Sequence, residues 1–356
     1  MGRRSNVETK MKLGILGFGF MGHTHAETVK RFEDIELVAV CDNDPRQLED
    51  VRGAPFKIYT EADDIIADPD INVLLIATPN QLHRDMVLKA AAAKKHVLCE
   101  KPAAMSLEEF DDMVRACEEN GVLFTVHQQR RFDPDFCMAK AVFEQGLVGK
   151  PYVIKSQLYG VNGFMHDWHV QPEYGGGMLY DWGVHLLDQM LYMVPGKVKT
   201  VFADLRNVIN DVVDDYFRIQ LLFENGLTAE IELGTYYLTP DRCWFMGGDT
   251  GSMVIRGFGQ QGSIVRTRHL LENVPGKITM SASGPTRSFG PPEPGLLYEE
   301  PLPEVSVSHD MFFENFLRVL NGKEAFVVQP AQVRRVLALM DVVRQSAAEG
   351  GSIAFE

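Results

Sequence analysis

The sequence lacks the features that mark secreted, zinc-binding or membrane-spanning proteins. Its five cysteines are spread along 356 residues, and no two of them form the C-x-x-C spacing of a metal or redox site. No apolar run approaches the roughly 20 residues that a membrane helix needs, and no signal-peptide stretch follows the basic first ten residues. These absences predict reduced thiols and a cytoplasmic protein.

Positive charge is also scarce. There are 35 Lys and Arg residues against 49 Asp and Glu residues, which gives a net charge of −14. Nucleic acids and anionic membrane surfaces are repelled by such a protein at long range. The charge therefore predicts a small molecule as the partner, with no nucleic acid and no membrane.

The first part of the chain, residues 1–127, alternates short β-rich runs with helical patterns. One helical pattern begins at Ser106, has Glu109 at the capping-box position and ends at Gly121. Such βαβ repetition predicts a parallel sheet that is covered on both faces. The predicted strands lie at residues 12–17, 35–42, 56–60, 71–78, 96–100 and 122–128.

The second part, residues 128–356, has a different texture. A helix is expected from Pro134 to about Gly146, and alternating strands follow from residue 152. Two of these strands are joined by Glu224–Gly226, a strong hairpin signal. Residues 283–295 predict a Pro/Gly-rich loop, and two helices are expected after residue 309. This part therefore predicts an α+β domain with a mainly antiparallel sheet.

A glycine-rich turn follows the first predicted strand and opens a helix. Glycines at these positions allow backbone N–H groups to approach a pyrophosphate at the positive end of the helix. Asp42 ends the second strand, where its carboxylate can accept hydrogen bonds from ribose hydroxyls and would repel a 2′-phosphate. The motif predicts NAD, with NADP less favoured; the alternative is a turn that binds nothing. Its residues are Gly17, Gly19, Phe20, Met21 and Gly22.

Polar residues also follow the later strands of the predicted parallel sheet. Ligands of such sheets bind beyond the carboxyl ends of the strands, so these residues are expected to face the same crevice. The predicted cofactor contacts are Thr78, Pro79, Asn80, His83, Glu100, Lys101 and Gln129. The predicted substrate contacts are Lys101, His127 and Arg130. A solvated surface position is the alternative for Lys101.

Three ionisable residues stand in an otherwise apolar segment after Gly175–Gly177. Asp181, His185 and Asp188 share one face if the segment is helical, so Asp181 is expected to orient His185. Histidine suits the proton transfer that accompanies alcohol oxidation. The alternative is a buried histidine satisfied by its helix neighbour, and for Asp188 a scaffold role is favoured over chemistry.

The segment His166–His169 resembles a metal site at first sight. Its H-x-x-H spacing with one acid falls short of a coordination set, so no metal is expected. A substrate-facing loop is favoured, in which Trp168 covers the nicotinamide or a sugar ring and His166 or His169 binds hydroxyls. Ordinary packing is the alternative for Trp168. Tyr236 is a further candidate for the substrate pocket, with a position on the sheet face as its alternative.

Taken in this order and spacing, the motifs resemble those of the family of glucose-fructose oxidoreductase and inositol 2-dehydrogenase (Gfo/Idh/MocA). The resemblance covers essentially the whole chain. It is carried by the glycine-rich turn, Glu100–Pro102, Arg130–Pro134, Gly175–Gly177, Asp181, Gly183, His185, Asp188 and the closing pattern at 312–351.

The resemblance implies an α/β Rossmann domain over residues 1–127. An α+β domain with a large, mainly antiparallel open sheet, often used for oligomerisation, is implied for residues 128–356, and hence a homodimer or homotetramer. It also implies that Lys101, Asp181 and His185 are catalytic and substrate-binding, and that Trp168 lies near the cofactor. Whether His185 or Lys101 is the principal base stays open.

Three functions remain in competition at this point. The leading one is an NAD-dependent dehydrogenase that transfers a hydride between nicotinamide and a ring-hydroxyl carbon of a sugar, cyclitol or glycoside. The second is redox-neutral glycoside cleavage, in which a bound NAD oxidises a hydroxyl transiently and elimination follows. The third is a non-catalytic sensor of a dinucleotide or sugar, which the joint presence of Lys101, Asp181 and His185 disfavours.

Overall fold

A computed structural model gives the fold of most of the chain. The structure describes residues 8–161, 165, 167–238, 243–259, 261–269, 273, 276–287 and 293–356. The predicted substrate residue His166 lies outside these ranges. Within them, no helix is long and apolar enough to cross a membrane.

The first sheet contains six strands, and all of its neighbouring strands are parallel. The order is β3-β2-β1-β4-β5-β6, so the direction of winding reverses between β1 and β4 and opens a crevice there. Val73–Ile76 are completely buried, as expected of a strand covered on both faces. The strands are β1 Met11–Leu16, β2 Ile35–Cys41, β3 Lys57–Tyr59, β4 Val73–Ile76, β5 His96–Cys99 and β6 Phe124–Val126.

Four helices cover this sheet. In the fourth, the Ser106 hydroxyl accepts a hydrogen bond from the backbone N–H of Glu109 at 3.2 Å, and Gly121 ends the helix in a left-handed conformation. Both ends therefore lie where the capping residues predict. The helices are α1 Phe20–Val29, α2 Ala62–Ala67, α3 His83–Ala92 and α4 Leu107–Asn120.

The rest of the chain forms a nine-stranded sheet and a separate two-stranded one. The large sheet has the order β16-β13-β12-β11-β7-β10-β9-β8-β17, and only β7 and β10 pair in parallel. The strands are β7 Pro151–Tyr159, β8 Val198–Arg206, β9 Tyr216–Phe223, β10 Thr228–Gly234, β11 Trp244–Gly248, β12 Gly251–Arg256, β13 Gln261–Thr267, β14 Ile278–Ser281, β15 Gly284–Arg287, β16 Leu297–Glu300 and β17 Ile353–Ala354. The predicted α/β and α+β architecture is confirmed.

The hairpin predicted at Glu224–Gly226 joins β9 and β10, which pair antiparallel. The loop predicted at 283–295 is partly wrong, because Gly284–Arg287 pair with Ile278–Ser281. The prolines that suggested a loop stand mainly after this hairpin, where residues 288–292 lie outside the described part of the chain.

The remaining helices are α5 Pro134–Glu144, α6 Val184–Met193, α7 Asp310–Leu320 and α8 Pro330–Glu349. Helix α8 contacts α4 and β6 on one side and α6 and β8 on the other. It therefore connects the two large sheets through its buried apolar face. The division of the chain at 127/128 stays a prediction.

Candidate active site

The glycine-rich turn is shaped by contacts that leave no room for side chains. Gly17 has a positive φ of 93°, and a Cβ there would collide with the carbonyl of Ala77, the residue that follows β4. A Cβ at Gly22 would collide with the Gly17 carbonyl. At Gly19, in contrast, a Cβ would meet nothing within 4 Å. Gly17 and Gly22 thus shape the turn, while Gly19 keeps its outer surface open.

Asp42 holds this turn in place, a role that the sequence did not reveal. Its carboxylate accepts hydrogen bonds from the backbone N–H groups of Phe18 at 2.7 Å and Asp44 at 2.8 Å. A carboxylate offers about four acceptor sites, so two remain for a ligand.

A groove of about 740 Å³ runs beyond the carboxyl ends of the parallel strands. Three predicted residues with different roles, Asp42, Lys101 and Trp168, line this one groove. The other predicted residues in its wall are Gly17, Gly19, Phe20, Met21, Thr78, Pro79, Asn80, Glu100 and Asp181. The predicted residues outside its wall are Gly22, His83, His127, Gln129, Arg130, His185 and Tyr236.

The groove meets the chemical requirements of a dinucleotide. The open surface at Gly19 leaves space beside the amino end of α1, where phosphate groups are favoured. One buried polar atom in the groove wall, Thr78 Oγ1, has no hydrogen-bond partner in the described part of the chain. Buried polar atoms are rarely left unpaired, so this atom fits a bound ligand.

Lys101 and Asp181 form an ion pair in the wall of the groove. The Lys101 Nζ donates to Asp181 Oδ1 at 2.8 Å and to the Asp181 carbonyl oxygen at 2.9 Å. Their side chains are 16% and 25% exposed, so both can be reached from the groove. We refer to Lys101 and Asp181 as the groove pair.

The expected contact between Asp181 and His185 is wrong. Leu179–Gly183 form a π-helical turn before α6, and this turn changes the four-residue relation that the α-helical pattern assumed. The side chain of Asp181 binds Lys101, whereas Nδ1 of His185 lies 2.9 Å from Oε1 of Gln128.

His185 is buried, with an exposed fraction of 3%. Burial, together with the positive charges of Lys101 and Arg130, holds the pKa of His185 well below the ordinary value of histidine. The ring is therefore neutral at neutral pH and has one protonated nitrogen. Gln128, which lies two residues after β6, was missed, and Gln129 was predicted instead.

Glu100 connects two buried histidines beneath the groove. Its Oε1 lies 2.7 Å from Nε2 of His25 and 2.8 Å from Nδ1 of His127, while its Oε2 accepts from the Lys101 backbone N–H. Burial opposes ionisation, but charge and hydrogen bonds from His127 and His25 outweigh it and hold the pKa of Glu100 well below its usual range. We call these three residues the buried cluster.

The buried cluster corrects the prediction for His127, which is enclosed by Phe312 and Phe313 and is 5% exposed. The three residues of the buried cluster each offer one potential metal-ligand atom, and these three atoms lie within 4.8 Å of one another. A tetrahedral ion with bonds of about 2.1 Å would separate its ligand atoms by about 3.4 Å. The shorter N···O distances of 2.7 and 2.8 Å fit hydrogen bonds better.

His83 is also misassigned. It is completely buried, and its two ring nitrogens lie 2.8 Å from the Thr78 carbonyl and 3.0 Å from the Pro102 carbonyl. It therefore ties the segments after β4 and β5 together instead of facing a cofactor. Pro102 follows Lys101 through a cis peptide bond.

Asp188 has the scaffold role that was favoured, although its partner is a side chain instead of the backbone. It receives two hydrogen bonds from Arg131, at 2.6 and 2.7 Å, and both side chains are almost completely buried. The neighbouring Arg130 lies 4.0 Å above the Trp182 ring and donates to Asp133.

The glycines before α6 allow close approach. Gly177 has a φ of 100°, and a Cβ there would collide with Asp214. Asp214, which was not predicted, accepts a hydrogen bond from the Leu179 backbone N–H at 2.7 Å. Burial raises the pKa of Asp214 to about 6. This residue fixes the start of the turn that carries Asp181.

Two further candidates differ in their surroundings. Trp168 lines the groove and stacks on the His169 ring at a centroid distance of 3.8 Å. Tyr236 pairs with Val161 in an isolated bridge and lies outside the groove wall.

Comparison with known proteins identifies the relatives of this chain. Residues 11–128 match the model of an oxidoreductase family with an NAD-binding Rossmann fold, and residues 136–254 match the GFO/IDH/MocA C-terminal domain. A myo-inositol 2-dehydrogenase of Thermotoga maritima is 29% identical over 62% of this chain and 68% of its own. A 2,7-anhydro-N-acetylneuraminate hydratase of Escherichia coli is 29% identical over 72% of each chain.

These two and six other curated relatives are matched over 58% to 72% of their lengths. A solved NAD-binding protein of Listeria innocua is similar over 97% of this chain and 99% of its own, with 34% identity and a TM-score of 0.90. The chain belongs to the GFO/IDH/MocA family of NAD-binding oxidoreductases.

Proposed function

We propose that this protein is an NAD-dependent oxidoreductase that transfers a hydride between nicotinamide and a ring-hydroxyl carbon of a sugar, cyclitol or glycoside. The observation that carries the proposal is the groove pair. An ammonium and a carboxylate stand 2.8 Å apart in the wall of a groove that the glycine-rich turn also lines. The similarity to myo-inositol 2-dehydrogenase supports the substrate class.

A nicotinamide bound in the groove supplies the acceptor or donor of the hydride. The residues of the chain have to hold the substrate oxygen and move its proton. Lys101 donates two hydrogen bonds to Asp181 and has a third N–H to donate to the substrate oxygen. There its positive charge stabilises the negative charge that develops as the hydroxyl loses its proton.

His185 supplies the base in this proposal. Its neutral ring can accept a proton, whereas Lys101 engaged as an ammonium has no lone pair to offer. Asp181 keeps the Lys101 ammonium in place. Because the Asp181 carboxylate binds Lys101 and the His185 ring binds Gln128, Asp181 does not have the role of orienting His185 that the sequence suggested.

Asp42 and Thr78, which line the groove, are proposed to contact the cofactor. The carboxylate of Asp42 stands in the groove wall and retains acceptor sites for ribose hydroxyls, while a 2′-phosphate would be repelled. We therefore infer a preference for NAD over NADP.

A glycine comparison tests the cofactor site directly. Gly19→Ala adds a methyl group in open space, so it is expected to weaken NAD binding about tenfold or more in calorimetry and to leave the thermal unfolding midpoint unchanged. Gly22→Ala, the matched control, is expected to lower the midpoint because its methyl group meets the Gly17 carbonyl. Unchanged NAD affinity in Gly19→Ala contradicts the proposed site.

The activity itself is tested with a panel of cyclitols, aldoses and glycosides in the presence of NAD or NADP. Growth of the reduced-nicotinamide absorbance with NAD and a cyclitol or sugar is the expected result. A strong preference for NADP contradicts the role proposed for Asp42.

Redox-neutral cleavage is the second candidate, because one relative is named a hydratase, a reaction without net oxidation. Lys101 and His185 would hold and deprotonate the same hydroxyl in that reaction. Product formation from a glycoside without accumulation of reduced nicotinamide favours this candidate over the dehydrogenase.

We further infer that the protein acts in the cytoplasm as a homodimer or homotetramer. The outer face of the nine-stranded sheet, which exposes Tyr152 and Phe202, supports association between copies. Light scattering coupled to gel filtration measures the assembly directly, and a monomer at micromolar concentration contradicts the inference.

A further inference from the structure

His185 has one hydrogen-bond partner, Gln128, that the proposed mechanism does not yet use. Its Nδ1 lies 2.9 Å from the carboxamide oxygen of Gln128, and both residues are buried. No other hydrogen bond to the ring is present in the described part of the chain. The second ring nitrogen, Nε2, is thus left for a ligand.

The position of the proton on this ring decides what His185 can do. A neutral imidazole has one nitrogen that donates and one that accepts a hydrogen bond. A carboxamide oxygen accepts only, so a hydrogen bond to it places the proton on Nδ1 and leaves the lone pair on Nε2. If the carboxamide were turned by 180°, its NH₂ would face Nδ1 and the proton would lie on Nε2.

We propose that Gln128 is a positioning residue that fixes the Nδ1–H tautomer of His185, so that Nε2 faces the substrate hydroxyl as a proton acceptor. This inference rests on the proposed function for the identity of the substrate group. The opposite tautomer would present an N–H to the hydroxyl and could not take its proton.

The backbone around Gln128 is held firmly enough for this task. Its N–H donates to the Val126 carbonyl at 2.8 Å, and its carbonyl accepts from the Arg131 N–H. The Arg131 side chain binds Asp188, which lies on α6 three residues after His185. The ion pair therefore fixes the distance between the segment after β6, with Gln128, and the helix with His185.

Gln128 also has an unpaired donor. Its Nε2 is buried and has no hydrogen-bond partner among the residues that the structure describes. Since an unpaired buried donor is costly, this NH₂ group fits an acceptor on a bound ligand. The Gln128 carboxamide would then contact His185 with its oxygen and the ligand with its NH₂ group.

Four ionisable residues act on the ring from the elements around it. Lys101 after β5 and Arg130 after β6 disfavour a positive ring, as does His127, while the Glu100 carboxylate favours it. A carboxylate in place of the Gln128 amide would add a negative charge within hydrogen-bond distance of Nδ1. Such a charge stabilises the imidazolium form.

The first experiment reads the tautomer without requiring turnover. The full-length protein, labelled with ¹⁵N histidine and saturated with NAD, gives a long-range ¹H–¹⁵N spectrum in which the two ring nitrogens are distinguished. The His185 signals are identified by their loss in His185→Gln. The expected result is a protonated Nδ1 and an unprotonated Nε2. A protonated Nε2 overturns the proposal.

The second experiment uses two variants and a control. Gln128→Met is expected to lower kcat by about tenfold or more, with NAD affinity unchanged within about threefold, because the ring loses its fixed proton position. Gln128→Glu is expected to move the acidic limb of the pH-rate profile upward by about one pH unit or more. Gln145→Met, at an exposed position, is expected to change neither quantity.

An unchanged pH-rate profile in Gln128→Glu overturns the proposal, as does wild-type kcat in Gln128→Met. The two proposals can fail separately. A protonated Nδ1 in a protein that turns over no sugar or cyclitol contradicts the proposed function alone, whereas turnover with a protonated Nε2 contradicts the role of Gln128 alone. If the variants do not fold, the wild-type spectrum still decides.

Discussion

Glu100 and Lys101 are neighbours in the chain, yet they belong to two very different clusters. Glu100 is enclosed with His25 and His127, and the three side chains are at most 7% exposed. Lys101 reaches Asp181 in the wall of the groove, where the two side chains are 16% and 25% exposed. One strand end thus contributes to a closed cluster and an open one.

The difference lies in what remains available to a ligand. The Glu100 carboxylate already takes three hydrogen bonds, from two imidazoles and a backbone N–H. Lys101 has a free N–H at the groove. A completely paired buried group stabilises the fold, whereas a partly exposed group with spare donors can act on a substrate. Substitutions in the two clusters should therefore affect different properties.

The largest expected effect is on turnover. Lys101→Met is expected to lower kcat about 1000-fold, because the substrate oxygen loses its positively charged donor. The free energy of unfolding should change by less than about 1 kcal/mol, since a partly exposed ion pair contributes little. Lys89→Met, on the exposed side of α3, is the control and should retain wild-type turnover. A kcat within about tenfold of wild type would sink the role of Lys101.

The next effect is on stability. Asp188→Asn leaves the buried Arg131 guanidinium without its charged partner, which is expected to cost about 3 kcal/mol in urea unfolding. Asp204→Asn removes the partner of Arg206 in a solvent-exposed pair and should cost less than about 1 kcal/mol. Equal losses of unfolding free energy in the two variants would show that burial does not determine how much each ion pair contributes to stability.

A smaller loss is expected in the buried cluster. Glu100→Gln keeps the shape of the side chain but removes the charge that accepts from His25 and His127. The expected cost is about 2 kcal/mol in the free energy of unfolding, with kcat lowered by less than about tenfold. If kcat falls as far as in Lys101→Met while stability stays unchanged, Glu100 takes part in catalysis, and the proposed difference between the buried cluster and the groove pair is wrong.

The smallest expected effect is a change with pH in the unfolding free energy that Glu100→Gln loses. The pKa of Glu100 is lowered in the folded protein, so its stabilisation is present above the unfolded value of about 4.3 and is lost as the pH falls below it. The stability gap between wild type and Glu100→Gln should thus be constant from pH 7 to 5 and narrow below about pH 4. A gap that widens on acidification would contradict this assignment.

The strands and the groove could be predicted from the sequence, because glycines, apolar runs and strand-end polar residues have strong local signals. The contacts between the side chains that follow these strands could not be predicted. Successive residues after a strand point in different directions, so the Lys101 side chain reaches Asp181. Glu100 also lines the groove, but its carboxylate binds the two histidines of the buried cluster. The sequence also offered no way to choose Gln128 over Gln129.

The contact expected between Asp181 and His185 failed for a different reason. A four-residue spacing gives neighbours only in a regular α-helix, and the π-helical turn at Leu179–Gly183 depends on tertiary contacts. One such contact is the hydrogen bond from the Leu179 N–H to Asp214, which lies 35 residues later in the chain. Periodicity alone cannot report an interaction of that kind.

The two residues of the groove pair come from the regions of the two large sheets. Lys101 follows a strand of the parallel sheet, and Asp181 precedes a helix that packs with α8 and the nine-stranded sheet. The distance between ammonium and carboxylate thus reports the alignment of the two sheets. A substitution on the buried face of α8, remote from any ligand, would shift this alignment and misplace the reacting groups.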